Sequence, residues 1–299
     1  MQSLAPIAAV ASLVLASCAS APVPNVAPSA SAGIKIASWN MEHLAEANGT
    51  GCRPRTDADY AAMRRYVDAL DADVVAFQEV ESKAAAERVF DPSIYNVVIE
   101  DRVGSDRGGE CRGSEGLTIR AQRTGFAVRK TIAFELQSDF TELQIGNDDL
   151  RSGVDLVVRP RGAAPMRLLS VHLKAGCSSG DRNEACAVLF DQVPVLERWI
   201  DQRASEGVRF AVLGDFNRRL AMTDDTVWAE WDDASPANAD LALASGEQQA
   251  ACNPRYRDFI DFIVLDRRAH DDLIDFEEQT FAGEGLSDHC AIAARLSAN

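Results

Sequence analysis

From Ile34 onward the chain alternates short apolar runs with amphipathic stretches, and this alternation constrains the fold more than any other feature. Eight runs, Ile34–Trp39, Asp73–Val80, Asn96–Glu100, Thr124–Lys130, Asp155–Pro160, Met166–Lys174, Val208–Phe216 and Phe259–Leu265, read as β-strands. Several are apolar at consecutive positions, the pattern of a strand buried on both faces. Between them, Thr56–Leu70 and Glu184–Glu206 carry helical periodicity. In the second, Val188, Leu189, Val195, Leu196 and Trp199 share one side, and Pro194 marks a kink. No internal repeat and no linker interrupts the pattern after Gly33, so a single mixed α/β domain over residues 34–299 is expected. The segment Met222–Gln249 is acidic and contains no Lys or Arg, and reads as an exposed insertion or an irregular lobe.

The 299 residues are 46% hydrophobic and 25% charged, values that exclude wholesale disorder and a polytopic membrane protein. Thirty Lys and Arg stand against 46 Asp and Glu, a net charge of -16. Bulk charge therefore repels nucleic acid, and a polyanionic substrate has to be held by local basic groups or by metal ions.

Residues 5–17 are apolar and uncharged, but shorter than the roughly 20 residues of a membrane-spanning helix. They read as the hydrophobic part of a signal peptide over residues 1–17, although no Lys or Arg precedes them. The following Leu15-Ala16-Ser17-Cys18 resembles a bacterial lipobox, which makes Cys18 the expected site of a lipid and the membrane a partner. The alternative is an ordinary secretory signal with an incidental cysteine. Either way an exported chain is expected, periplasmic or at the cell surface if lipidated. Residues 19–33, rich in Ala, Pro and Ser, suit a flexible tether. Cys52, Cys111, Cys177, Cys186, Cys252 and Cys290 then make an even set, read as up to three disulfides, with Cys177–Cys186 the preferred pair; the set lacks zinc-ligand spacing.

Chemistry is suggested by where the polar residues fall. Four strands end in Trp39-Asn40-Met41-Glu42, Gln78-Glu79, His172-Leu173-Lys174 and Gly214-Asp215-Phe216-Asn217; Asp261 and Ser287-Asp288-His289 follow. A strand end fixes a side chain while leaving it accessible. Taken singly, each has a structural explanation. As an ordered series from Lys35 to Leu296 they resemble the endonuclease/exonuclease/phosphatase family. The resemblance implies a four-layer sandwich of two packed mixed β-sheets flanked by helices, like that of deoxyribonuclease I, with the site at one end.

Hydrolysis of a phosphate ester needs a divalent cation, a base for the attacking water, and a proton or metal for the leaving oxygen. Carboxylates suit Mg²⁺, with Mn²⁺ or Ca²⁺ as alternatives. By resemblance, Glu79 is the principal metal ligand, joined by Asp288 and by Glu42, an acid only some members share. Asp215 and Asn217 orient water and phosphate, and Asn40, Lys174 and Arg123 contact phosphate. His289, held by Asp261 or Asp288, serves as base or transition-state donor, and His172 protonates the leaving group. His172 tilts the reading toward diester cleavage. The resemblance departs at Gln122, the best match to an acid that supports a histidine in deoxyribonuclease I-like enzymes. His43 and His270 carry no motif and read as structural.

Basic residues cluster at Arg102, Arg107, Arg112, Arg120, Arg123, Arg129 and Lys130, with Arg218 and Arg219 after the Asp215 turn. They are either phosphate contacts or a solvated, ion-paired surface, since acids are interleaved. The leading expectation is a metal-dependent phosphodiesterase of the cell envelope, most simply a nonspecific, monomeric nuclease acting on DNA or RNA. The alternatives are a phosphatase or phospholipase-type enzyme acting on a small ester or lipid head group, and a catalytically inactive binding lipoprotein.

Overall fold

The computed structural model describes Met1 and residues 33–102, 108–233, 235–236, 239–281 and 285–298. The chain divides after Ala30, and the unit Ser31–Asn299 carries the fold. The eight apolar runs are all strands. In chain order the elements are β1 (Gly33–Leu44), α1 (Asp57–Leu70), β2 (Val74–Val80), α2 (Lys83–Glu87), β3 (Tyr95–Ile99), β4 (Glu110–Cys111), β5 (Ser114–Thr118), β6 (Arg123–Arg129) and β7 (Ala133–Leu136). There follow β8 (Val154–Arg159), β9 (Met166–His172), α3 (Glu184–Ser205), β10 (Phe210–Asp215), α4 (Thr226–Trp231), β11 (Leu241–Leu243), β12 (Asp261–Asp266), α5 (Arg267–Asp271), β13 (Leu273–Gln279) and β14 (Ala291–Ser297).

Two six-stranded sheets form, ordered β13-β14-β1-β2-β6-β3 and β11-β12-β10-β9-β8-β7. Each is mixed: β1 and β2 run parallel in the first, β9 and β10 in the second, and the remaining pairs are antiparallel. The parallel central strands explain the continuous apolar runs, because β1 and β2 are covered on both faces. Ile34, Ile36, Val74 and Ala76 pack toward the second sheet, in one core with Leu213 and Val264. The alternate residues Ala37, Trp39, Val75 and Phe77 pack in a second core with Tyr60, Met63 and Val67 of α1. On the far side, Leu189, Leu196 and Trp199 of α3 cover the second sheet's outer face. The result is a four-layer α/β sandwich of the deoxyribonuclease I type.

Helix starts follow local chemistry. Thr56 caps α1 in a reciprocal capping box with Asp59, and the Asn183 side chain accepts from the Cys186 N–H at the start of α3. Pro194 lies inside α3, which continues to Ser205. The acidic segment after Met222 is not an exposed insertion. Val227, Trp231 and Ala239 in it are fully buried, and Asp225 pairs with Arg218 at 2.7 Å with both side chains 3% exposed. Asp225 also caps α4, and Asp240 pairs with Arg267, contacts that composition alone does not reveal.

Three disulfides join Cys52–Cys111, Cys177–Cys186 and Cys252–Cys290. Every described cysteine is paired, so among the described residues no thiol is free for a thioether to lipid. Apart from Met1 and Gly33, the signal peptide expected over residues 1–17, Cys18 itself and the tether over residues 19–33 lie outside the described residues. The expectations of a lipid on Cys18, a membrane partner and an exported, periplasmic or cell-surface location are corrected accordingly. Among the described residues no helix is long and apolar enough to cross a membrane.

Candidate active site

The parallel central strands of both sheets end at the same edge, and register sets which side chains meet there. Asn40 lies beside Gln78 across β1 and β2; Asp215 lies beside His172 on one side and Asp261 on the other. Gly214 makes the second alignment possible. A Cβ there would lie 1.9 Å from the Val171 carbonyl oxygen, so only glycine lets β10 approach β9 closely enough to set Asp215 beside His172.

Near the strand ends the chain passes through left-handed backbone. Glu42, His43, Glu79 and Asn217 have φ of 42°, 52°, 61° and 52°, four of the seven described non-glycine residues with positive φ. Such conformations cost free energy and persist where surrounding structure holds them, most often at functional sites. The turn carrying Ser287, Asp288 and His289 is tied to the end of β1. Ser287 Oγ donates to the Asn40 carbonyl at 2.7 Å, the Asp288 N–H to Glu42 Oε2 at 2.9 Å, and Trp39 Nε1 to the His289 carbonyl at 3.0 Å.

A cavity of about 470 Å³ opens at this edge. Glu79, His172, Lys174, Asp215, Asn217, Asp288 and His289 line it, so seven of the expected residues converge. Asp261 stands behind His289, its Oδ2 2.6 Å from His289 Nδ1. Asn40 is buried behind Asp215, to which its Nδ2 donates at 3.0 Å, while its Oδ1 accepts from the Glu42 N–H. Glu42 accepts from Asp288 and faces Arg53 at 3.5 Å, outside the cavity lining. Arg123 is not brought to the cavity: its guanidinium donates to the Glu81 and Arg102 carbonyls.

Most of the basic cluster is likewise consumed by structure. Arg102 pairs with Glu100 in the interior, Arg120 with Glu81, Arg129 with Asp71 and Arg218 with Asp225. Arg107 lies outside the described residues. In its place the structure brings Arg151 to the cavity, together with Gln122 and His43. Gln122 does not support His172. Its Nε2 lies 3.1 Å from His43 Nδ1 and its Oε1 accepts from Arg151 at 2.6 Å. The polar pair Glu42-His43 just past the Trp39-Asn40 motif is the one local sign pointing to His43, and nothing in the sequence marks Arg151.

Electrostatics divide the two histidines. Burial holds His172 well below the ordinary imidazole range, helped by the positive charge of Arg151, and its Nδ1 has no partner among the described residues. Burial also acts to lower His289, but Asp261, by charge and hydrogen bond, with Asp215 and Asp288, outweighs it and raises His289 well above that range. Asp215 is pushed up to about 7, first by burial and then by the charge of Asp261. A neutral imidazole, a charged one and a carboxyl titrating near neutrality thus share one cavity, the separation of environments that acid–base chemistry exploits.

Oxygen and nitrogen donors of Asp215, Asp261 and His289 lie within 4.8 Å of one another, and Glu79 and Asp288 line the same cavity. This carboxylate-rich set fits a divalent cation. The other close group among the described residues, Cys252, Glu278 and Cys290, has both sulfurs committed to a disulfide.

The sequence profile of the Endonuclease/Exonuclease/phosphatase family matches residues 37–289. No curated protein matches the chain. Among solved structures, truncated TDP2 from Caenorhabditis elegans superposes with a TM-score of 0.60 at 17% identity, covering 89% of this chain and 98% of that one. The human Nocturnin catalytic domain with bound sulfate gives 0.58 at 16%, covering 89% and 95%. The 3′ phosphatase NExo from Neisseria, bound to a product DNA hairpin, gives 0.56 at 15%, covering 88% and 99%. At these identities the likeness is one of fold.

Proposed function

Because the chain belongs to the Endonuclease/Exonuclease/phosphatase family, we propose that it is a Mg²⁺-dependent phosphodiester hydrolase, in its simplest form a nonspecific nuclease. The observation that carries this reading is the convergence of Glu79, Asp215, Asn217, His172 and His289 on one cavity from the ends of both sheets. Glu79 and Asp288 would hold the cation, with Glu42 fixing Asp288 through its backbone. The cation supplies charge neutralisation of the phosphoryl oxygens.

The remaining work belongs to side chains. Asp215, buried and fixed by Asn40 and by the Asn217 N–H at 2.8 Å, is placed to accept the proton of an attacking water once ionised. His289, kept protonated by Asp261, donates to phosphoryl oxygen as negative charge develops. His172 is neutral near pH 7 and acts as a hydrogen-bond donor toward the ester. Its Nε2 lies 3.5 Å from Asp215 and 3.8 Å from Glu79, between the proposed base and the proposed metal ligand.

A second cavity of about 290 Å³ favours a second reading, hydrolysis of a compact phosphate ester. It adjoins the first at Asp288 and His289 and is walled by Tyr256, Phe259, Ile260 and Ile292. Nicking of supercoiled plasmid by the purified chain, in Mg²⁺ and with excess chelator, decides between them. Chelator-sensitive nicking, lost in His172→Ala, supports the nuclease; intact plasmid with turnover of a small diester or monoester supports the second reading.

A further inference from the structure

We propose that the second cavity is the subsite for the group esterified to the substrate's phosphate, and that it selects a compact, flat-ringed alcohol without negative charge, packed against Tyr256. The proposal rests on the second reading of the site, hydrolysis of a compact phosphate ester. Asp288 and His289 line both cavities, so a phosphoryl group that accepts from His289 has its ester substituent within reach of the second. At about 290 Å³ that cavity lies at the small end of ligand pockets, a size that suits a ring and not a run of nucleotides.

Its walls fit such a group. Phe259 is 6% exposed and is held by edge-on contacts with Phe262 and Phe276, at centroid distances of 6.3 and 5.7 Å, which gives one rigid aromatic side. Tyr256 is 59% exposed. A single exposed aromatic is ordinary, but this one lines a cavity from a braced loop. The Cys252–Cys290 disulfide ties the loop to the residue after His289, and the Ala251 and Cys252 N–H groups donate to Glu278 at 2.6 and 3.2 Å. Within the loop, the Ala250 N–H donates to the Arg257 carbonyl and the Tyr256 N–H to the Asn253 carbonyl, both at 2.9 Å. The loop that carries the ring is thus ordered before a ligand arrives, which lowers the cost of binding. Charge decides against an anionic substituent. Arg219, the one arginine on the wall, faces Asp258 at 3.6 Å, and Glu278 has no cationic partner among the described residues. The next phosphate of a polynucleotide would meet this excess of carboxylates.

The test titrates the full chain in Mg²⁺ with methyl-, cyclohexyl- and phenylphosphonate, which bind without turnover, and with the para-carboxylated phenyl compound. Phenylphosphonate is expected to bind about tenfold more tightly than methylphosphonate, from ring burial and aromatic contact. Cyclohexylphosphonate should fall between them, and the added carboxylate should cancel the gain. Tyr256→Ala should weaken phenylphosphonate about fivefold, as for a lost aromatic contact, and leave methylphosphonate as it was; Tyr256→Phe, which keeps the ring, restores the preference. Equal binding of the methyl and phenyl compounds, cyclohexyl binding as tight as phenyl, an undiminished gain with the carboxylate, or a phenyl preference intact in Tyr256→Ala overturns the proposal. Hydrolysis is scored apart: a chain that prefers phenylphosphonate through Tyr256 but cleaves no phosphate ester overturns the hydrolase reading, whereas an active chain without that preference overturns this one.

Discussion

His289 Nδ1 lies 2.6 Å from Asp261 Oδ2, and Asp261 is the register partner of Asp215 across β10 and β12. One carboxylate therefore acts on two neighbours in opposite senses. It keeps the imidazolium of His289 charged and makes ionisation of Asp215 harder.

Activity should accordingly follow a bell-shaped pH profile. Asp215 is useful as a base only when ionised, so the rising limb is expected near its shifted value of about 7. His289 is useful as a donor only when protonated, so activity falls as pH climbs through its raised pKa. Asp261→Asn removes the main cause of the His289 elevation and should move the alkaline limb to lower pH, with kcat down about 100-fold. An alkaline limb that stays in place would show that His289 is not the group responsible.

Metal dependence has its own signature. Chelator should abolish hydrolysis reversibly, and Glu79→Gln should lower kcat/KM about 1000-fold at fixed metal concentration, in line with loss of a charge-stabilising element. The circular dichroism spectrum should not change, since the Glu79 carboxylate faces the cavity and its hydrogen bond is to the His43 backbone N–H. Full activity of the variant in chelator would remove Glu79 from the metal site.

The site was legible where its signals are local. Asn40, Glu79, His172 and Asp215 each follow a run of buried apolar residues, so both the strand and the polar residue at its end stand out. The edge strand β13 did not, because its sequence Leu273–Gln279 is rich in acids and largely solvent-facing. The basic stretch was ambiguous because the partners of Arg120 and Arg129 arise only after folding: Arg120 and Glu81 are 39 residues apart, and Arg129 and Asp71 are 58. The same holds for His43, whose contact with Gln122 spans 79 residues. No spacing rule connects them.

The disulfides should stabilise in the order of the loops they close, rising with the logarithm of loop length. Cys52–Cys111 spans 59 residues and Cys177–Cys186 spans 9. On loop entropy, removing the first pair by paired Cys→Ala substitution should cost about 4 kcal/mol and removing the second about 2.5 kcal/mol. Cys252–Cys290 has a further consequence, because Cys290 directly follows His289; its loss should lower kcat as well as the thermal midpoint. Denaturant unfolding of the three double variants gives the ranking, and equal stabilities would set aside the loop-entropy account.

On α3, away from the cavity, Glu197 faces Asp201, Asp233 and Glu230, and its pKa is raised from 4.5 to about 8, chiefly by burial and then by these neighbours. The folded state thus binds a proton that the unfolded state releases above about pH 4.5. The sign follows from linkage: this stability is present in full below 4.5 and is lost as pH rises toward 8. Glu197→Gln mimics the protonated form at every pH. It should match the wild type near pH 4.5 and exceed it at pH 9, by about 1 kcal/mol once partial exposure is allowed for. In a chain of this size that corresponds to a rise in Tm of about 2–4 °C. A difference in midpoint that does not grow between pH 5 and pH 9 would mean that the carboxyl is solvated and that the cluster leaves its titration unshifted.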